Sequence, residues 1–211
     1  MHKFLLGGIF SLLMFISKAQ YPGFAVVKDS TSFRMRFASA NKKINSIKCD
    51  FIQDKNLSML TEKITSKGVF MYKKVNRLRM EYTYPYEYLM IINNDKFYVK
   101  DDKKETKISS KSNKSFQQIN KIMIDCIQGT ALENSSLISK IFENKSTYLI
   151  EVTPLEHAVK EMFKKIIIYL DKKDYSISML EMNELSGDNT VIKFNNKELN
   201  ATVSDALFYI K

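Results

Sequence analysis

Few side chains in this sequence are of a type and spacing that could do chemistry. Of its two histidines, His2 lies in the N-terminal apolar segment and His157 stands among Glu156, Lys160 and Glu161. One histidine cannot supply a Ser-His-Asp triad or a multi-histidine metal centre, and His157 reads as an exposed loop side chain. Cys49 and Cys126 are the only cysteines. They could form one disulfide tying the first long strand to a central helical stretch, or remain two buried thiols. Carboxylate pairs such as Asp101-Asp102 fall in a charged turn and suit solubility better than acid–base work. No phosphate-binding glycine loop and no G-x-S-x-G elbow is present. The expectation is a protein that is not an enzyme and uses no cofactor and no metal.

Composition describes a folded, basic chain. The 211 residues are 45% hydrophobic and 27% charged, with only 6 Gly and 3 Pro, the balance of a folded globular chain. Phe (14), Tyr (11) and Met (11) are abundant and Trp is missing. Lys and Arg number 33 against 23 acids, a net charge of +10. The lysines are scattered over turns and strand faces, without the stacking aromatics of an RNA-binding sheet. Nucleic acid is therefore not expected as a partner; anionic lipid or an acidic protein suits the charge better, and a merely solvated surface suits it best.

The elements that must position any site begin after residue 19. Residues 1–19 have a short basic start, an apolar run from Phe4 to Ile16 and a small-x-small ending at Ala19. That is the pattern of a cleaved secretory signal, and the run is too short to span a bilayer. Cleavage after Ala19 leaves 192 residues with a charge of +8, expected as one exported domain over 20–211. A helix is predicted over 30–46, with Phe33, Phe37, Ala40 and Ile44 at spacings of three and four and Ser30 or Thr31 as cap. Period-two alternation then predicts strands through Ile47–Phe51, Gly68–Tyr72, Leu78–Tyr82, Tyr88–Ile92 and Phe97–Val99. A helical insert follows, with Ser115 as N-cap and Phe116, Ile119, Met123, Cys126 and Ile127 on one face, stopped by Gly129. Thr130 to Glu133 has capping-box spacing for a second short helix bearing Leu137, Ile138 and Ile141. Strands resume through Tyr148–Val152, Phe163–Leu170, Tyr175–Met182 and Ile192–Phe194, with a bulge or a bend where the apolar face shifts between Met179 and Leu180. The order favours one curved antiparallel sheet with helices on one face.

Several of these pieces in order resemble the LolA-like periplasmic lipoprotein carriers. They are the helix, Phe51-Ile52-Gln53, the strand from Gly68 to Tyr72, the alternating strand of Leu78, Met80 and Tyr82 ending at Pro85, Lys165 to Asp171, the Glu184–Asp188 turn, Ile192-Lys193-Phe194, Asn200 and Asp205. The resemblance covers nearly the whole chain after residue 19. It implies an α+β, mainly β fold: an incomplete antiparallel β-barrel whose concave face is apolar and covered by helices acting as a lid. It implies a soluble, monomeric periplasmic carrier that takes lipoprotein acyl chains from an inner-membrane lipoprotein-releasing transporter to an outer-membrane lipoprotein acceptor. The alternative on the same fold is a regulatory module that senses lipids or lipoproteins. The implied lining is Phe51, Phe70, Tyr72, Leu78, Met80, Tyr82, Tyr88, Met90, Ile92, Tyr148, Ile150, Val152, Ile192 and Phe194. The implied lid is Phe116, Ile119, Met123 and Ile127, latched by the residue at position 74. Here that residue is Lys74 where the family has an arginine, and Val75 stands for the family's proline. Leu78 and Met80 stand where the family has aromatics.

Overall fold

The computed structural model describes residues 20–210 apart from 61, 95, 102–103, 110–120, 123 and 126. The expected signal at 1–19, the cap Ser115, the lid residues Phe116, Ile119 and Met123, and Cys126 lie outside the described residues.

Among the described residues twelve strands form one antiparallel sheet. They are β1 (Ala25–Val26), β2 (Ser46–Asn56), β3 (Lys63–Lys73), β4 (Arg77–Tyr84), β5 (Tyr88–Asn93), β6 (Lys96–Asp101), β7 (Glu105–Ser109), β8 (Leu137–Glu143), β9 (Thr147–Pro154), β10 (Phe163–Asp171), β11 (Ile177–Glu184) and β12 (Asn189–Leu199). Their spatial order is β1-β8-β9-β10-β11-β12-β2-β3-β4-β5-β6-β7. Two meanders are thus joined where β12 pairs with β2, from Asn189 opposite Asn56 to Leu199 opposite Ile47. Among the described residues the edges β1 and β7 do not pair, so the sheet stays open there.

Strand alternation sends one set of side chains inward. Ile47, Cys49 and Phe51 on β2, Phe70 and Tyr72 on β3, and Leu78 and Met80 on β4 are all buried in a single cluster with Ile150, Ile168, Ile192 and Phe194. The helix α1 (Ser30–Lys42) covers this face with Phe33 and Phe37. Ile122, Ile124, Ile127 and Ala131 join the same cluster. Among the described residues no helix is long and apolar enough to cross a membrane.

Among the described residues the outer face carries two smaller clusters. Tyr21 and Phe24 pack on Phe142, Leu149 and Ile167, and the buried Glu151 carboxylate accepts hydrogen bonds from Gln20 Nε2 (2.7 Å) and from the Tyr21 hydroxyl. At the other end Val203 and Phe208 pack on Ile91. Arg79 donates to the Leu207 carbonyl (3.1 Å) and Asn93 to the Phe208 carbonyl (3.0 Å). Lys73 (2.5 Å) and Arg77 (2.8 Å) both reach Asp205 and hold its carboxyl below the usual carboxylate range. A lowered native pKa stabilises above the unfolded value and is lost as pH falls through the native one. Asp205→Asn is therefore expected to lower the melting temperature at pH 7, and the gap to the native chain should close in melts run progressively below pH 4.

Four sequence expectations change. The α1 cap is Asp29, whose carboxylate accepts from the Ser32 amide (2.8 Å), and the helix ends at Lys42. β7 is a strand beyond the charged turn, where the sequence predicts none. His157 lies on a short helix, α2 (His157–Lys160), and is exposed beside Glu161. Leu137, Ile138 and Ile141 lie on strand β8 and not on a helix; only a 3-10 turn at Thr130–Leu132 precedes it. The Thr130 hydroxyl donates to the buried Asp125 carboxylate (2.8 Å), which also takes Lys121 Nζ and Asn134 Nδ2, each at 2.7 Å. Gly129 does stop the preceding helical residues, at φ +75°. The bulge lies close to its expected place: Tyr169 faces Met179 and Leu170 faces Ile177, leaving Ser178 extra.

Candidate functional site

The inner face is built from rows of side chains that the register aligns across strands. One row runs Phe194, Phe51, Gly68, Tyr82, Tyr88 and Asp101 from β12 to β6. Gly68 leaves a gap in the row that its neighbours fill, and the Phe51 and Tyr82 rings meet edge to face with centroids 4.8 Å apart. Tyr88 continues the series against Tyr82 at 5.2 Å. Two further rows place Phe70 against Met80 and Met80 against Met90, and Tyr72 against Leu78 and Leu78 against Ile92.

Of the expected lining, Phe51, Phe70, Tyr72, Leu78, Met80, Ile92, Tyr148, Ile150, Val152, Ile192 and Phe194 are buried in the one cluster under α1, with Tyr82 and Met90 packed at its margin. Ile127 is buried in the same cluster from the helix side. Phe33 fits edge to face on Tyr148 (4.6 Å) and stacks on Phe37 (5.6 Å), and Tyr148 stacks on Tyr175 (5.5 Å). The face that could hold a ligand is thus occupied by the protein's own aromatic side chains wherever α1 lies on it.

Lys74 reaches the end of that helix. Its Nζ donates to the Lys42 carbonyl at 3.1 Å and to the Asn41 carbonyl at 3.5 Å. A cation on the last carbonyls of a helix is favoured by both hydrogen bonding and the helix dipole. Lys74→Met is expected to lower stability by about 0.5–1 kcal/mol and to speed amide exchange in the last turn of α1; an unchanged exchange pattern would remove Lys74 from this role.

Beyond the covered region the face opens into a cavity of about 790 Å³ lined by Gln53, Ile64, Ser66, Tyr82, Pro85, Tyr86, Glu87, Tyr88 and Asp101. Its size is that of a site for a ligand of drug or lipid scale. Tyr82 donates its hydroxyl to Gln53 Oε1 (3.0 Å), which fixes the ring in the wall. Burial raises the pKa of both Tyr82 and Tyr88, and Asp101 adds to the rise at Tyr88, so both remain neutral donors. Only Tyr82 and Tyr88 belong to the lining expected from sequence. Ile64, Pro85, Tyr86, Glu87 and Asp101 come from strand ends and turns, where alternation gives no signal; the Tyr84-Pro85-Tyr86 run was the available clue.

The candidate reactive groups lie apart from this geometry. Cys49 is buried and free, and burial pushes its thiol up to about 12, which makes it a poor nucleophile. Among the described residues no three of His, Cys, Asp and Glu gather as a metal site.

No curated protein sequence matches the chain significantly. Among solved structures it is similar to a LolA superfamily protein from Nitrosomonas europaea, at 9% identity and TM-score 0.44, over 84% of this chain and 97% of that one. It is also similar to a DUF1329 family protein from Desulfovibrio piger, at 11% identity and TM-score 0.48, over 84% and 95%. A third likeness is to a chain of the Pseudomonas aeruginosa MucA/MucB complex, at 10% identity and TM-score 0.48, over 85% of this chain and 60% of that one. The family model described as outer membrane lipoprotein carrier protein LolA matches residues 42–211, from the end of α1 through every long strand to the last residue. On that match the chain belongs to the LolA family.

Proposed function

We propose that this protein is a periplasmic carrier that holds the acyl chains of lipoproteins and moves them from the inner to the outer membrane. The observation that carries the reading is the inner face: a continuous apolar surface, covered by one helix and a few further side chains, that runs into the open cavity at Tyr82 and Tyr88. A long acyl chain costs on the order of 10 kcal/mol to place in water, at about 0.8 kcal/mol per methylene. A carrier must offset that cost and still release its cargo. A surface of Phe, Tyr, Met and Ile held by packing alone suits such exchange, because these side chains repack at small cost.

In this reading the chain ends enter at the cavity, and α1 with Ile127 yields to expose Phe51, Phe70, Met80 and Ile192. Lys74 is the latch that returns α1 to the sheet. The partners are an inner-membrane lipoprotein-releasing transporter and an outer-membrane lipoprotein acceptor, met by a monomer whose segment 1–19 is removed on export.

Native mass spectrometry of the protein isolated from the cell envelope should find bound lipoprotein or lipid, and reconstituted transfer between membranes should depend on the protein. Neither cargo nor transfer would overturn the reading. Deletion should strand lipoproteins in the inner membrane; a regulatory sensor on the same fold would leave their distribution intact.

A further inference from the structure

The cavity has a floor, and one row of rings sets its position. Strands β2 to β5 present this row at one level: Phe51 faces Gly68, Gly68 faces Tyr82, and Tyr82 faces Tyr88. Gly68 carries no side chain, so the Phe51 ring lies over it, 2.9 Å from where a Cβ would stand, and reaches Tyr82 across β3. The rings then meet edge to face, Phe51 with Tyr82 at 4.8 Å and Tyr82 with Tyr88 at 5.2 Å. Tyr82 stands at the division between open and filled space. With Tyr88 it lines the cavity, and it also packs against the buried cluster that includes Phe51, Phe70 and Met80. Its hydroxyl donates to Gln53 Oε1 at 3.0 Å, which holds the ring in that position. The next row inward, Phe70, Met80 and Met90, is two residues further along each strand, about 7 Å deeper.

We infer that Tyr82 is the length-determining residue of this site: while α1 covers the inner face, its ring stops an acyl chain that enters the cavity, and the methylenes beyond that length stay outside the mouth. The inference rests on the acyl-carrier reading and names a specificity determinant of that same site. Each methylene that leaves water adds about fourfold to affinity. A methylene that stays in water adds nothing. Affinity therefore climbs with chain length until the chain end touches the floor, and is flat beyond it. To pass deeper, the chain must displace a ring held by two aromatic contacts and a hydrogen bond. It must then part Phe70 from Met80, both of which are buried.

The test is a displacement titration with lysophosphatidylcholines from octanoyl to palmitoyl, one headgroup throughout, each below its aggregation threshold. In the native chain affinity should rise about fourfold per methylene and then level off. In Tyr82→Ala the levelling should move to chains about four carbons longer. Tyr82→Leu, a milder change that keeps the test open if the alanine variant folds poorly, should move it by about two. Tyr86→Ala, on the exposed rim of the same cavity, should leave the levelling where it is. Levelling that stays in place in the Tyr82 variants, that shifts equally in Tyr86→Ala, or that is missing from the native chain overturns the length determinant and leaves acyl carriage standing. Binding at no chain length overturns acyl carriage and the determinant with it.

Discussion

Phe33→Ala is expected to lower unfolding free energy by about 3–5 kcal/mol, the cost of removing a fully buried aromatic side chain. Phe33 has no exposed surface, stacks on Phe37 and fits edge to face on Tyr148. It is the principal contact by which α1 holds the inner face, since the helix's only other buried residue is Phe37. Its loss leaves a void against Tyr148 and weakens the cover over Phe51 and Phe70. Urea unfolding measures the stability loss, and binding of a hydrophobic dye to the native state reports the uncovered face. A loss under about 1 kcal/mol without dye binding would show that α1 is held by something other than this aromatic contact. If α1 is also the moving cover, the variant should bind acyl ligands faster while being less stable, because the state that exposes the face is already populated.

Gly68→Ala is expected to be nearly as costly although it adds one methyl group. A Cβ at this position would lie 2.0 Å from the Glu81 carbonyl oxygen and 2.9 Å from the Phe51 ring. The first is backbone of the paired strand β4 and cannot rotate away, so β3 and β4 must separate where their register already shifts between Lys67 and Gly68. Overpacking that moves backbone costs about 3 kcal/mol, and here it also pries apart the Phe51–Tyr82 contact in the cavity wall. Thermal melting gives the magnitude, and Gly68→Val should do worse than alanine. An alanine variant that melts within a few degrees of the native chain would mean that the strands part easily here.

Much of this fold is legible in the sequence because the strands are half-buried and alternate. Leu78, Met80 and Tyr82 against Arg77, Arg79 and Glu81 declare β4, and the observed burial follows the same alternation. The shift near Ser178 is legible for the same reason, since a face that changes partway along an alternating strand calls for a bulge or a bend, and the register shows the bulge. Strand β8 is not legible. Leu137, Ile138 and Ile141 fit a helical face as well as a strand, and short apolar runs do not separate the two. The structure resolves it by tertiary contact: Leu137 and Ile141 are buried and Ile138 is 51% exposed, on the opposite face. The α1 cap lies one residue before the predicted Ser30 because Asp29, Ser30 and Thr31 all have capping chemistry. For the site, periodicity identifies the apolar face but not where it opens. That depends on which strands extend past α1, and on turn residues such as Pro85, Tyr86 and Glu87 that belong to no pattern.

The seam between β12 and β2 governs the order in which the chain can fold. Strands β2 to β7 are a local meander and can pair as soon as residue 109 has been made, and β8 to β12 form a second one later. The seam joins residues far apart in the sequence, from Asn56 with Asn189 to Ile47 with Leu199, and such non-local closure is slow. Until residue 199 is available, one edge of β2 carries unpaired amides and carbonyls beside Ile47, Cys49 and Phe51. An exposed apolar edge of that kind invites pairing with another chain. The half-made protein is therefore more prone to aggregate than either the nascent coil or the finished sheet, and late truncations that remove β12 should be recovered as insoluble material, not as a smaller soluble domain.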